Sequence, residues 1–331
     1  MVNIFDIPVK ETVNKSLQAK SIMVVGKSKS GKSTLSSQAP RPIFLMTENG
    51  GEALTGFTPV PIASWSDFRS AVSQLCTPKG RENFDTVVID TYTNLILLLD
   101  KYVGNKMSND KNTYDFGSDA DYGRGTKLMK NELGVQLQKL ANQGYLMMNI
   151  VHAEDKTDFA TQRSYIGTSL SNSLYGVAEK FVDQIIYLRK DENAKGEIEH
   201  RIWFNSKGGF AGAGGRFTPS VDSVPCSFEN LEKALLSAID TIGTKEGVKL
   251  IESNKPSVTI DEPTYDFNAM REEFSELVGR IMQANPANGP IITGIVDKYL
   301  GKGKKVGDCT PAQCEQLDLI LVEMRELDKK N

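Results

Sequence analysis

The residues with the most legible chemistry are Gly26-Lys27-Ser28-Lys29-Ser30-Gly31-Lys32-Ser33, an uninterrupted G-x-x-x-x-G-K-S string followed by Thr34. Each residue type in it answers a demand of a bound polyphosphate. Glycines let backbone N–H groups wrap closely around phosphate oxygens, and a helix start behind them adds a favourable dipole. The Lys32 ammonium reaches the β- and γ-phosphates, and the Ser33 hydroxyl is a hard oxygen ligand for Mg²⁺. ATP and Mg²⁺ are therefore the expected cofactors. A chance surface loop rich in Gly, Ser and Lys would need no particular neighbours, but this string has the ones the chemistry requires. Ser21-Ile22-Met23-Val24-Val25 reads as a buried strand, and residues 33–38 turn as a short helix before Pro40.

Other candidates stand where strands end. Arg41-Pro42-Ile43-Phe44-Leu45-Met46-Thr47 reads as a second strand, closing on Glu48. A carboxylate at the carboxyl end of a strand beside the nucleotide strand lies where ligands bind in open α/β sheets. Glu48 there would polarise the water that attacks the γ-phosphate, or else it is a solvated turn glutamate. Phe84-Asp85-Thr86-Val87-Val88-Ile89 closes on Asp90, whose carboxylate is expected in the Mg²⁺ shell. Thr91 and Thr93 either orient the metal's waters or cap the helix expected over 94–103. His152 ends the run Tyr145-Leu146-Met147-Met148-Asn149-Ile150-Val151. It either senses the γ-phosphate and couples it to the loop behind, or is an inert strand-end histidine. Lys207, and Arg216 after the glycine-rich stretch 211–215, are candidate positive fingers for a neighbouring subunit's site, or plain surface charges.

The elements that would position these side chains follow from periodicity. Trp65-Ser66-Asp67-Phe68 starts a helix with Ser66 as N-cap and Phe68, Val72 and Leu75 as its apolar stripe. Residues 104–122 read as a long polar loop. A helix is expected over 125–142 and another over 173–178. Strands are expected over 182–188 and 199–205. Between the two helices residues 153–172 read as a second long polar loop, in which Lys156, Phe159, Arg163 and Tyr165 interleave charge and rings. That mixture suits single-stranded nucleic acid as well as an ordinary solvated loop. Residues 1–20 are a polar lead-in and carry no motif.

In this order the pieces resemble the RecA-like P-loop ATPases, most closely the compact phage-encoded members linked to single-strand annealing and recombination. The resemblance covers residues 20–240. It rests on GKSKSGKS (26–33), PIFLMTENGG (42–51), FDTVVIDTYTNL (84–95), GYLMMNIVH (144–152) and WFNSKGGF (203–210). It implies an α/β fold, a RecA-like P-loop NTPase core with a mainly parallel central sheet. It also implies that Lys32 and Ser33 hold phosphate and Mg²⁺, that Glu48 is the catalytic glutamate, and that Asp90 is the second motif's aspartate. His152 stands where the family senses nucleotide, usually with glutamine, and Lys207 matches a lysine that reaches across the subunit interface. The loops 104–122 and 153–172 correspond to the family's DNA-facing loops. Expected partners are a second copy of the chain, in a ring or filament, and single-stranded DNA.

The remainder of the chain is bounded by composition and pattern. Four cysteines without a CxxC pair and two histidines argue against a disulfide framework or a zinc cluster and point to a reducing cytoplasm. No stretch approaches the ~20 apolar residues of a membrane span, so the chain reads as soluble with no membrane partner. A net charge of −3 leaves room for only a local basic groove. Residues 1–242 form the expected core, with a helix beginning at Phe228. Residues 243–263 form a linker, and 264–331 a small all-helical module. Phe267, Met270, Phe274, Leu277 and Ile281 mark its first helix, and Ile291, Ile292, Ile295, Val296, Tyr299 and Leu300 its second. Thr310-Pro311-Ala312-Gln313 opens the third with a capping box. Lys302, Lys304 and Lys305 form a basic turn that either holds a phosphate backbone or is simply solvated, and the module is a candidate dock for a single-strand-binding or replication protein. A nucleotide-switched loader acting through that tail, and a P-loop small-molecule kinase, are the alternative readings.

Overall fold

The computed structural model describes residues 12–50, 54–107, 124–158, 162–170, 172–192, 195–253 and 265–329. Strand β1 (Thr12–Asn14) precedes β2 (Ser21–Gly26), the phosphate-loop segment and α1 (Lys32–Ser37). Then come β3 (Pro42–Met46), β4 (Thr58–Pro61), α2 (Trp65–Leu75), α3 (Pro78–Asn83) and β5 (Thr86–Asp90). They lead to α4 (Tyr92–Met107), α5 (Arg124–Asn142), β6 (Leu146–Asp158), β7 (Arg163–Thr168) and α6 (Asn172–Glu179). The larger unit, Met1–Asp261, closes with β8 (Gln184–Glu192), β9 (Ile198–Trp203), β10 (Gly214–Gly215), β11 (Ser223–Pro225), α7 (Phe228–Glu246) and β12 (Lys249–Ile251).

Continuous apolar runs need cover on both faces, which a parallel sheet between helix layers supplies. The observed sheet has the order β11-β9-β8-β2-β6-β5-β3-β4, with β7 on β6 and β10 on β8. Every neighbouring pair from β8 to β4 is parallel, and the antiparallel pairs are those of β7, β9, β10 and β11. Alternation along each strand feeds two cores. Met23, Val25, Val87, Ile89 and Met147 pack with Trp65 and Phe68 of α2, Leu95 and Leu99 of α4 and Leu133 of α5. Ile22, Val24, Val88, Met148 and Ile150 pack with Leu35 of α1 and Leu231 and Leu235 of α7. Full burial of each such side chain is worth about 1.5–3 kcal/mol, so the core strands hold their register firmly. The fold is thus a P-loop NTPase core built on a mainly parallel sheet, with a helical region at the C-terminal end.

Several expectations are corrected by this arrangement. Helix α2 is capped by Ser64, not Ser66: the Ser64 hydroxyl accepts from the Asp67 amide at 3.1 Å. Starting there makes Trp65 helical and buries it in line with Phe68, Val72 and Leu75. Residues 153–172 do not form a long loop. Strand β6 continues past the sheet to Asp158 and pairs with β7 as an antiparallel hairpin, and α6 follows. Phe159 lies outside the described residues, as does most of 104–122, whose first residues extend α4 to Met107. Strand β4 and helix α3 carry too little apolar periodicity to be read in advance. Helix α7 runs on to Glu246, and β12 pairs in parallel with β1, so residues 243–251 carry regular structure.

The second unit, Glu262–Asn331, contains α8 (Phe267–Ala284), α9 (Gly289–Leu300) and α10 (Cys314–Asp328). Leu277, Ile281, Ile295, Val296, Leu317, Ile320, Leu321 and Met324 form its own core. The Thr310–Gln313 capping box is present, opening a 3₁₀ turn that feeds α10. No helix among the described residues is long and apolar enough to cross a membrane.

Candidate nucleotide site

The loop between β2 and α1 is shaped by two left-handed residues, Lys29 at φ 60° and Gly31 at φ 94°. Gly26 cannot be replaced without movement: a Cβ there would lie 2.3 Å from Ser30 Oγ. Lys27, Ser28, Lys29 and Thr34 are exposed, whereas Ser30 and Lys32 are buried. The Lys32 ammonium donates to the carbonyls of Gly26 and Lys27, both at 2.9 Å. Burial lowers its pKa, opposed by the charges of Asp90 and Glu48. Two of its three N–H donors are used, which leaves one for an anion.

The sheet register brings the other candidates to the same end. Gly26 pairs with His152, and Met46 with Asp90. The Ser33 hydroxyl donates to Asp90 Oδ2 at 2.6 Å. Asp90 is 5% exposed. Burial pushes its carboxyl up, while the Ser33 hydrogen bond pulls it down. A hydroxyl and a carboxylate in contact are the hard oxygen donors that Mg²⁺ selects. A divalent cation there would also supply the charge that a buried carboxylate lacks, so the residues fit the ion.

Glu48 reaches this corner by a different route from the one expected. Its strand β3 is not beside β2; β5 and β6 lie between them, because β3 pairs with β4 and β5. The ends of β3 and β5 are stitched together instead. The Thr47 amide donates to the Asp90 carbonyl at 2.8 Å, and Thr47 Oγ1 donates to the Thr91 carbonyl at 2.8 Å. Asn94 Nδ2 then holds Glu48 Oε2 at 2.8 Å, and His152 Nε2 lies 3.6 Å from the same oxygen. Both threonines take capping or bracing roles. Thr91 Oγ1 accepts from the Asn94 amide at 3.4 Å, and Thr93 Oγ1 accepts from the His152 amide at 3.3 Å.

Lys207 and Arg216 do not join this cluster. Lys207 pairs with Asp222 at 2.8 Å and Arg216 with Asp183 at 3.1 Å, both cations being mostly exposed. The turn bearing Lys207 is nonetheless well held. Arg189 lies over the rings of Trp203 and Phe210 and donates to the Gly208 carbonyl at 2.7 Å. The backbone of Ile166 in β7 bonds to Gly209 and Ala211 at 2.9 Å, which ties the β6–β7 hairpin to the same segment.

Two participants, Asn94 and His200, escaped the sequence reading, as did the partner that Lys27 takes. Asn94 was legible only as the start of a helix, although an amide one turn past Asp90 was a usable signal. Lys27 pairs with Asp155 of the hairpin at 2.6 Å. His200 Nδ1 stands 2.7 Å from the Ser30 carbonyl oxygen. The last two pairings span more than a hundred residues, and no local pattern announces them.

The family model described as AAA domain matches residues 18–215. The chain belongs to this family. The match begins just before β2 and ends at β10, so it contains the phosphate loop, Glu48, Asp90, His152 and Lys207. The chain is also similar to the SPbeta prophage-derived uncharacterized protein YorG of Bacillus subtilis (strain 168). The two are 26% identical over 347 aligned positions, covering 98% of each chain. AAA-domain membership makes the chain an ATPase-type domain and implies nucleotide binding, for which Mg²⁺ is the usual companion.

Proposed function

We propose that this AAA-domain chain is a phage-encoded, RecA-like ATPase that binds ATP, Mg²⁺ and single-stranded DNA and promotes annealing or recombination as a homo-oligomer. The phage assignment rests on the similarity to a prophage-derived protein. The observation that carries the ATPase reading is the convergence of four strand ends on one corner. There Lys32 offers a buried ammonium, Ser33 touches Asp90, and Glu48 is oriented by Asn94 and His152.

In this reading the loop amides and Lys32 hold the phosphates, and Ser33 and Asp90 hold the cation. Mg²⁺, when bound, neutralises charge on the phosphate oxygens. Glu48 Oε2 accepts a proton from the attacking water as the γ-phosphoryl is transferred, giving ADP and phosphate. Asn94 keeps that oxygen aimed. His152, at the root of the β6–β7 hairpin, carries the nucleotide state to Lys156, Arg163 and Tyr165, which face single-stranded DNA. Lys207 and Arg216, mostly exposed and each paired with a carboxylate of its own subunit, act on an adjacent subunit in a ring or filament. Glu48→Gln should leave ATP bound with Mg²⁺ but uncleaved, and normal turnover by that variant would sink the assignment. Short oligonucleotides should raise the ATPase rate in a salt-sensitive way.

A second reading is favoured by the separate core of residues 262–331. It makes the chain a nucleotide-switched loader that docks a single-strand-binding or replication protein through that unit. A gel shift with labelled single strand at low salt, with ATP and Mg²⁺, separates the two. Intact ATP turnover without any shift favours the loader.

A further inference from the structure

His200 has no part in the chemistry described above, yet its ring rests on the phosphate loop. Strand β9 pairs with β8 in the register Lys190↔His200, just past the Leu188↔Gly26 pair that marks the end of β2. The ring is thereby delivered to the level at which the loop begins. Its backbone is anchored from the other side, since the Cys226 amide donates to the His200 carbonyl at 2.8 Å. Nδ1 lies 2.7 Å from the Ser30 carbonyl oxygen and 3.1 Å from where a Cβ on Gly31 would stand. A carbonyl oxygen only accepts, so Nδ1 carries the proton.

The peptide between Ser30 and Gly31 is where this hydrogen bond has an effect. In a planar trans peptide the carbonyl and the following N–H point in opposite directions. A Ser30 carbonyl directed at β9 therefore turns the Gly31 N–H away from β9. Other bonds fix the neighbouring peptides but not this one: the Ser30 amide donates to the Lys27 carbonyl at 3.2 Å, and the Gly31 carbonyl accepts from Leu35 at 2.8 Å. Gly31 sits at φ 94°, and glycine takes either sign of φ at little cost, so no side chain stops this plane from flipping. Ser30 does not hold it by its hydroxyl, which is buried without a hydrogen-bond partner against Gly26.

We propose that His200 is a positioning residue of the nucleotide site, pinning the Ser30 carbonyl and thereby presenting the Gly31 N–H to the phosphates. This rests on the ATP-binding reading of the loop. Losing the pin costs ground-state binding of any nucleotide carrying a β-phosphate and leaves the chemistry at Glu48 untouched.

The test is equilibrium binding of a fluorescent ADP analogue with Mg²⁺ to the full chain, together with steady-state ATP turnover, for wild type, His200→Leu, His200→Asn and His200→Gln. The asparagine amide nitrogen occupies the place of Nδ1, whereas that of glutamine reaches the place of Nε2. Leu and Gln should bind about tenfold more weakly, with KM raised in the same ratio and kcat within about twofold. Asn should stay within about threefold of wild type. Wild-type affinity in His200→Leu, or equal affinities for Asn and Gln, would overturn the proposal. If the leucine variant does not fold, the Asn–Gln comparison decides alone. Failure of wild type to bind nucleotide would instead remove the ATPase reading on which this one stands.

Discussion

Lys32 shows how much a single buried side chain sets here. It is 6% exposed and held by two loop carbonyls, so its charge is presented at one point rather than sweeping through solvent. On the proposed ATPase reading, Lys32→Ala should lower ATP turnover by about a hundredfold or more, measured as ADP release, because it removes a desolvated charge from beside the transferring phosphoryl. At the other end of the sheet, Arg41 forms a two-pronged bond to Asp85, at 2.6 and 2.7 Å. The side-chain hydrogen bond from Arg41 holds the Asp85 carboxyl below its ordinary range. A depressed folded-state pKa contributes stability that is present above the unfolded value and fades as pH falls through the folded one. The difference in melting temperature between wild type and Arg41→Ala should therefore be largest near neutrality and shrink in acid. A difference independent of pH would exclude this linkage.

Among elements, α2 offers a sharp comparison. Ser64 and Ser66 are two residues apart, but only Ser64 caps the helix, while Ser66 is exposed within it. Ser64→Ala should cost about 1 kcal/mol, and Ser66→Ala should lie within about 0.5 kcal/mol of wild type; the two are separated by urea midpoints. Strand β6 is the other informative element. Its first residues pair with β2 and β5, and its last pair with β7, so one strand runs from the sheet into the hairpin. The change of partner falls at His152, whose amide donates to Thr93 and whose carbonyl accepts from Ser169 at 2.9 Å.

At the scale of the whole molecule, the chain divides into two compact units, each with its own buried core. Leu317 is fully buried in the second. Leu317→Ala should destabilise that unit by about 2–5 kcal/mol, read by calorimetry, while leaving ADP affinity as in wild type. Loss of nucleotide binding in this variant would show that the second unit supports the site.

Local pattern alone determined the phosphate loop, the buried strands ending at Gly26 and Asp90, and the apolar stripes of α2, α8 and α9. In each case the deciding physics lies within a few residues: glycine's freedom, continuous hydrophobicity or a helical period. The capping box before α10 was legible for the same reason. Strand order was not, because backbone hydrogen bonding between distant segments leaves no mark on either one. Hence Glu48 reads from sequence as a neighbour of β2, whereas the folded sheet brings it in across β5. Hence too the hairpin over 153–168 reads as a loop, since its exposed alternation resembles solvated coil until β7 pairs with β6. Tertiary structure alone set Asn94 on Glu48 and His200 on Ser30. Those contacts depend on which strands lie side by side, and that is settled by how the two cores pack.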